Sequence, residues 1–342
     1  MKQTARRIYA AAPVRICDIG GWTDTWFAGH GAVFNIGVTP CVEVQMTTSP
    51  QEADDRLTLH LRNYNDSYSL NPDKIVYGKH PLIEAAIASM GIPPGISLDI
   101  EIFSKVPAGG SLGTSAAVCV ALLGALDALT PGRLAPHDIA ALAHRVETEK
   151  LGLQSGVQDQ LCSAFGGINF IRILSFPLSE VTPILPGEGF LRELEHRLAV
   201  IYIGSPHNSS DVHKKVIADL GETPGNDHRI EKLRALAADA RDAAISENLD
   251  ALGQVMNRNT EVQRELHPDL VCEKFTEIIR VADFFEVSGC KVNGAGGDGG
   301  SVTLLGNGDP DLKKKMLHTL EEKGFHSIPV TLSPNGVRVW ED

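Results

Sequence analysis

The run from Ser104 to Leu129, SKVPAGGSLGTSAAVCVALLGALDAL, constrains this chain more than any other stretch. Pro107 turns the backbone, and Gly109, Gly110 and Gly113 permit angles that a side chain would forbid. After Thr114 and Ser115, the Ala, Val and Leu run is long enough for about four helical turns. It is apolar almost all round, so the helix is expected to be buried rather than amphipathic. The alternating ISLDIEIF of residues 96–103 before it reads as a strand, which makes the loop a strand-to-helix connection. Such a helix start gathers backbone N–H groups, the positive end of the helix dipole and two hydroxyls at one spot. That spot favours phosphate, and a hydroxyl beside it can bind an accompanying magnesium ion. The plainer alternative is a tight turn with Thr114 or Ser115 as an ordinary N-cap, and the loop alone does not separate the two.

The rest of the chain reads as mixed α and β. Arg7–Ile19 is a strand broken at Pro13, residues 20–25 a loop, and residues 32–39 and 41–48 two strands joined near Pro40. Strands at Leu57–Leu61 and 68–70 precede a helix at Pro81–Met90, with Pro81 in its first turn. Helices follow at 136–150 and from Val157, the second stopped by Gly166-Gly167, and then a strand at 168–174. Residues 175–190, rich in Pro and Gly, read as the connection between two domains, 1–190 and 191–342. Beyond it come a strand at 197–203 and helices near 228–248, 249–265 and 268–287. A strand at 291–293, a glycine cluster at 294–300, Ser301–Leu305 as a strand, a helix at 310–323 and a last strand at 327–332 complete the chain.

The loop does not fit the Walker pattern, because Gly78-Lys79 is followed by His80 where Ser or Thr is needed. Pro107-Ala-Gly-Gly-Ser-Leu-Gly-Thr-Ser-Ala-Ala117 instead resembles the second motif of the GHMP kinases, the superfamily of galactokinase and of homoserine, mevalonate and phosphomevalonate kinases. Ser111 stands where that motif has its first Gly, and Thr114 where it has its first Ser. Ala12-Pro13-Val14-Arg15-Ile16 with Gly20-Gly21-Trp22-Thr23-Asp24 resembles the first motif. Lys291-Val-Asn-Gly294-Ala-Gly-Gly-Asp-Gly-Gly300 resembles the third, with Asn293 for the usual hydroxyl residue and Asp298 for one glycine. The third stretch also satisfies G-x-G-x-x-G, but that dinucleotide fingerprint needs a helix next, and the SVTLL after it is a strand. Residues 147–160 carry Glu147 and a G-V-Q-D-Q run ending in Asp159-Gln160. Tyr202-Ile203-Gly204 resembles the Y-T-G of heptose and fucose kinases, with His207 at their usual Arg.

The resemblance implies a GHMP fold: an α/β N-terminal domain and an α+β C-terminal domain with the site between them. It implies ATP as co-substrate and Mg2+, with transfer to the anomeric hydroxyl of a sugar. The branch it points to takes D-glycero-D-manno-heptose 7-phosphate to the 1,7-bisphosphate; fucose, arabinose or glucuronate 1-kinases are the alternative. From another class comes a non-catalytic sensor of the same fold. By this resemblance Pro107, Gly109, Gly110, Ser111, Leu112, Gly113, Thr114 and Ser115 hold ATP, and Ser115 and Glu147 hold the metal. Gly20, Gly21, Trp22, Thr23 and Asp24, with Gly294, Ala295, Gly296 and Gly297, face the substrate. Asp159 is the catalytic carboxylate, and Arg15 offsets charge on the transferred group.

The formal net charge of −12 argues against non-specific binding to nucleic acid, which wants a basic face. The six cysteines lack C-x-x-C spacing and read as small core residues. No uninterrupted apolar stretch reaches the ~18 residues of a membrane span, and no signal-peptide core follows Arg6-Arg7. These features read as a cytoplasmic, soluble chain without membrane or nucleic-acid partners, acting on a small-molecule sugar or sugar phosphate, with a homodimer as a possible assembly. There is no G-x-S-x-G elbow and no H-E-x-x-H.

Overall fold

In the computed structural model, residues 5–51, 53–131, 133–204, 209–221 and 224–342 are described. The chain opens with β1 (Arg7–Ile19), β2 (Gly31–Pro50), β3 (Leu57–Leu61) and β4 (Asp66–Leu70), followed by α1 (Pro81–Met90), β5 (Ile96–Ser104) and α2 (Thr114–Asp127). Next come α3 (Pro136–Arg145), α4 (Gln158–Phe165), β6 (Ile168–Ser175), β7 (Leu178–Ile184), α5 (Glu188–Arg197), β8 (Leu198–Tyr202) and α6 (Ser209–Leu220). The remainder is α7 (His228–Ile245), α8 (Leu249–Leu266), α9 (Glu273–Phe284), β9 (Gly289–Val292), β10 (Ser301–Leu305), α10 (Pro310–Glu322), β11 (His326–Ile328) and β12 (Arg338–Glu341).

The larger sheet has the order β12-β1-β2-β5-β3-β4, and β6 and β7 extend it beside the first half of β2. β2 is one strand of 20 residues, not the expected pair. It pairs with β1 along one edge, and on the other with β6 first and then β5. The ladder to β1 shifts twice, between Ile16 and Ile19 and where Pro13 and Pro40 meet, where Ala12 faces Val42 and Val14 faces Val38. A proline has no N–H to give a ladder, so a bulge at this point keeps the rest paired. Among the described strands β3 with β5 is the parallel pair; the others run antiparallel.

The all-apolar α2 is buried as its pattern requires, against β1 and β2 with α1, α3 and α4 around it. The smaller sheet, β11-β8-β10-β9, is covered on both sides. Ala199, Ile201, Val302 and Leu304 pack with Phe275 and Ile278 of α9 and Met316 and Leu320 of α10. Leu198, Val200 and Leu305 point the other way, into the core shared with the larger sheet. α7 lies against β2, and α8 against both β9 and β1, so the two sheets are joined through this helix pair.

Residues 175–190 do not simply connect two halves: β7 is zipped to β6 before α5 begins. The α6 helix was not legible beforehand, and the last expected strand shrinks to β11. A further strand, β12, returns to pair with β1, so the larger sheet takes strands from both ends of the chain. The chain reaches it by passing close over the end of α4, where Gly167 N donates to Ser333 O at 2.7 Å and Ser333 N to Gly37 O at 2.9 Å. Gly166 has a φ of +65°, and a Cβ there would sit 2.1 Å from the Asn335 carbonyl carbon. Gly166→Ala should therefore destabilise the protein by roughly 1–3 kcal/mol, through both the left-handed backbone and the clash. Urea unfolding measures this, and an unchanged midpoint would show that the returning strand moves aside at no cost.

Candidate active site

The three glycine-rich stretches converge on one cleft of about 780 Å3, lined by residues of the 107–115 loop, Arg15, Asp18, Trp22, Asp24, Glu147, Asp159, Gly294 and Ala295. The loop's carbonyls are tied back into the protein. Ala108 O accepts from the Tyr202 hydroxyl at 3.3 Å, Gly110 O from Ser301 Oγ at 2.7 Å and Leu112 O from Arg15 N at 2.9 Å. Ser111 O accepts from Arg15 Nη1. With its acceptors engaged, the loop presents the first turn of α2 to the cleft. The cap is Gly113, at φ 69°, and no side chain caps the helix. The N-cap alternative for Thr114 and Ser115 therefore fails: both lie in the first turn, where N–H groups have no partner within the helix. Ser111, in place of the usual glycine, adopts φ +56°, an uncommon conformation for a residue with a Cβ.

Opposite the loop, Arg15 of β1 meets Asp159 in the first turn of α4. Nε donates to Oδ1 at 2.8 Å and Nη2 to Oδ2 at 3.3 Å, a two-pronged guanidinium–carboxylate contact. Burial opposes a charge on Arg15, but Asp159 and Asp18 outweigh it and hold the guanidinium more firmly protonated than usual. Gly113 must be bare here, because a Cβ would come within 3.1 Å of Asp159 Cγ.

Two further carboxylates are buried in the same wall. Asp24 accepts from Gln158 N at 3.1 Å; burial pushes its carboxyl up to about 6, against the pull of that hydrogen bond. Glu147 sits on a turn of π-helix, Val146–Lys150, that continues α3. Its Oε2 accepts from Ser155 Oγ at 2.6 Å and Gln160 Nε2 at 2.7 Å. Burial nevertheless raises Glu147 to about 7, with Asp159 adding to the rise.

Sequence reasoning does not find Asp18, although a charge inside the apolar strand RICDI is a signal, and gives Lys291 only as the start of the third motif. Lys291 Nζ donates to Asp18 Oδ1 at 3.2 Å, and Gly294 N to both carboxylate oxygens at 3.1 and 3.0 Å. Asn293 Oδ1 accepts from Cys17 N at 3.1 Å and from Thr303 Oγ1 at 2.9 Å, so this buried amide joins β1 to β10. Five expected substrate contacts are set behind the wall instead of lining it. Gly20 N donates to Asn259 Oδ1 at 2.8 Å, and Gly21 packs on Asp18. Thr23 Oγ1 bonds the carbonyls of Gly20 and Ala32, while Gly296 and Gly297 lie against Leu270. His207 lies outside the described residues.

The loop also borders an apolar recess, Leu61, Ile83, Ile102, Val106 and Val118, flanked by Asn63, Tyr64, Lys79 and His80. These residues come from separate strands and helices, and no motif marked them. Among the described residues no three metal-ligating His, Cys, Asp or Glu side chains cluster. Magnesium takes one or two carboxylates and completes its shell with phosphate and water oxygens. Glu147 fits such an ion: a buried carboxyl held up near 7 is one that a neighbouring cation would return to its charged form.

Residues 78–167 match the sequence profile of the GHMP kinases N terminal domain. The chain carries a GHMP kinase N-terminal domain. It is 28% identical over 347 residues to the bifunctional fucokinase/GDP-fucose pyrophosphorylase of Arabidopsis thaliana, across 95% of this chain but only 32% of that one. The chain thus spans about a third of that two-activity relative. It is 24% identical over 249 residues to the D-glycero-alpha-D-manno-heptose 7-phosphate kinase of Campylobacter jejuni, covering 72% of this chain and 71% of that one. Mevalonate kinases stand among the other relatives. A crystal structure of a D-glycero-D-manno-heptose 1-phosphate kinase from Bacteriodes thetaiotaomicron superposes with a TM-score of 0.75 at 21% identity, over 97% of this chain and 98% of that one, which establishes the shared fold. The relatives are kinases acting on small molecules, and this chain has their GHMP fold. No helix among the described residues is long and apolar enough to cross a membrane.

The raised Glu147 carboxyl makes the protein's stability depend on pH. Folding takes up a proton between its ordinary value of 4.5 and about 7, so this group's stabilisation is lost as pH rises through that window. Glutamine stays neutral. Without ligands, Glu147→Gln should therefore unfold at higher denaturant than wild type at pH 8, by on the order of 3 kcal/mol at most, and differ little at pH 5. Asp24, raised from 3.8 to about 6, leaves both proteins a shallower slope at lower pH. Parallel stability curves for the two proteins from pH 5 to 8 would show that Glu147 titrates normally.

Proposed function

We propose that this chain is an ATP-dependent sugar kinase that phosphorylates the anomeric hydroxyl of its acceptor. The observation that carries the reading is the Arg15–Asp159 contact facing the uncapped start of α2 across one cleft. In this reading residues 1–190 supply the nucleotide loop, Arg15 and Asp159, and residues 191–342 supply the turn at Gly294-Ala295 that walls the cleft. The apolar recess around Leu61 and Ile102 takes the adenine, and the 109–115 loop cradles the triphosphate. Ser115 and Glu147 would hold a magnesium ion, which would supply charge neutralisation for the phosphates.

Little covalent chemistry is asked of the protein in phosphoryl transfer; it positions and neutralises. Asp24 accepts from a sugar hydroxyl, using the oxygen that Gln158 N leaves free. Asp159 accepts from the attacking hydroxyl and takes its proton as the new O–P bond forms and the bond from the γ-phosphorus to the bridging oxygen breaks, releasing ADP. Arg15, already oriented on Asp159, offers its guanidinium N–H groups to the transferred phosphoryl oxygens. A sensor would need none of this alignment, and the convergence of Ser115, Glu147, Asp159 and Arg15 favours turnover.

The chemistry of the acceptor end favours an uncharged sugar of the fucose or arabinose kind over a sugar phosphate. Around Asp24 and Asp159 the described lining is rich in carboxylates; Arg15 is committed to Asp159, and Lys105 adjoins Val106 of the recess. Lys79 and His80 are held by Asp66, beside Tyr64 in the recess. The second reading, a heptose 7-phosphate acceptor, is supported by the Campylobacter jejuni relative. A turnover screen with ATP against L-fucose, arabinose, glucuronate and D-glycero-D-manno-heptose 7-phosphate separates them, and phosphorus NMR of the product should show an anomeric phosphate. Turnover of the heptose phosphate alone would reverse the choice of acceptor, and phosphate on a non-anomeric oxygen would overturn the regiochemistry.

Asp159→Asn keeps the size and most hydrogen bonds of the side chain but cannot take the proton. It should lower kcat by about 10²–10⁴-fold with KM values near wild type. Steady-state kinetics measure this; a kcat near wild type would place the base elsewhere.

A further inference from the structure

We propose that Asp18 and Lys291 are a positioning pair for phosphoryl transfer, holding the Arg15 fork and the Gly294 turn in a fixed register across the cleft. The proposal rests on the kinase reading above.

In a regular strand Arg15 and Asp18, three residues apart, would point to opposite faces. Here both line the cleft. The reversal is made locally: the β1–β2 register slips between Ile16 and Ile19, and Cys17 takes a left-handed φ of 57°. That conformation is strained for a residue with a Cβ, and its N–H is held by Asn293, just after β9. Strain spent to bring one carboxylate beside Arg15 points to a use for that carboxylate.

The charges then alternate: Asp159, Arg15, Asp18, Lys291. Asp159 is the end that reaches solvent, with 28% of its side chain exposed, while Asp18 and Lys291 are 2% and 1% exposed. Burial would raise Asp18, yet Lys291, Arg15 and the Gly294 N–H hold it below the ordinary carboxylate range. Burial draws Lys291 down, and Asp18 opposes that loss of charge. Without the Asp18 charge, two buried cations would face each other, and Arg15 would lean harder on Asp159, the carboxylate that must receive the acceptor hydroxyl. Without Lys291, Asp18 would compete with Asp159 for Arg15. The same carboxylate fixes Gly294, whose turn forms the opposing wall. Both effects fall on the alignment of the reacting groups, while the nucleotide loop keeps its ties to Tyr202, Ser301 and the Arg15 main chain.

The test is the double variant Asp18→Asn/Lys291→Met, which removes both charges at nearly constant volume. Removing both partners of a buried pair often costs little stability, whereas removing one strands a charge. The expected result is an unfolding midpoint close to wild type, a KM for ATP within about threefold of wild type and a kcat at least about tenfold lower. A double variant with wild-type kcat would overturn the proposal, because a merely structural pair can be replaced. Should the double variant not fold, Asp18→Glu keeps the charge but lengthens the side chain by one methylene. The same selective kcat loss is expected there, and wild-type kcat overturns the proposal equally. Wild-type protein that turns over none of the sugars fails the kinase reading instead. Calorimetric binding of ADP and of a non-hydrolysable ATP analogue then judges the pair. The variant should bind ADP and the analogue within about threefold of wild type, as an intact nucleotide loop requires, and a loss of about tenfold or more for either would overturn it.

Discussion

The contact between Arg15 and Asp159 is the joint on which the cleft depends. It ties the middle of the first strand to the first turn of α4, and the same guanidinium reaches the Ser111 carbonyl of the glycine loop. One planar fork thereby fixes three elements that are far apart in sequence, a task for which a lysine's single point of charge would be too loose. Because Arg15 is buried, its charge must be answered close by, and Asp159 and Asp18 answer it from two sides. The left-handed Cys17, the bare Gly113 and the buried Lys291 are each consequences of packing two carboxylates around one buried cation.

The ligand-free site carries electrostatic cost that the fold meets elsewhere. Asp24 and Glu147 are both driven toward their neutral forms by burial, and Asp24 and Glu147 each lie near the Asp159 charge. Such a cluster destabilises the folded state at neutral pH, yet it provides acceptor oxygens for hydroxyls and a cation. The compensation is the surrounding core. It runs from the buried α2 through both sheets to the α7–α8 pair, and the carboxylates are packed against it, Asp24 from the turn after β1.

Much of the site was legible where the chemistry is local. The glycine loop announced itself through Pro107, three glycines and an apolar helix, and the structure places that helix start on the cleft, capped only by Gly113. Arg15, Trp22, Asp24, Glu147, Asp159, Gly294 and Ala295 also line it. Gly20, Gly21, Thr23, Gly296 and Gly297 share the motifs but serve the backbone behind the wall. A motif records which residues must be small or hydrogen-bonded, and it does not record which way they face. Pro40 was taken as a strand end, yet β2 runs through it because Pro13 stands opposite and the two share one bulge.

The amino-acid sequence by itself determined the buried helix, its glycine entrance and the alternating strands, since hydrophobic period and backbone freedom act over a few residues. It also determined that the chain would have both helices and sheets, and the motif order pointed to the two-domain kinase fold. Only the tertiary structure decided that β12 closes the sheet begun by β1, that the recess of Leu61, Ile83 and Ile102 adjoins the loop, and that Asp18 meets Lys291. These are encounters between residues from opposite ends of the chain, as with Ala11 and Arg338 across the β1–β12 ladder or Asp18 and Lys291 behind the cleft wall. No local pattern encodes such a meeting; it exists only once the core has fixed where each strand ends.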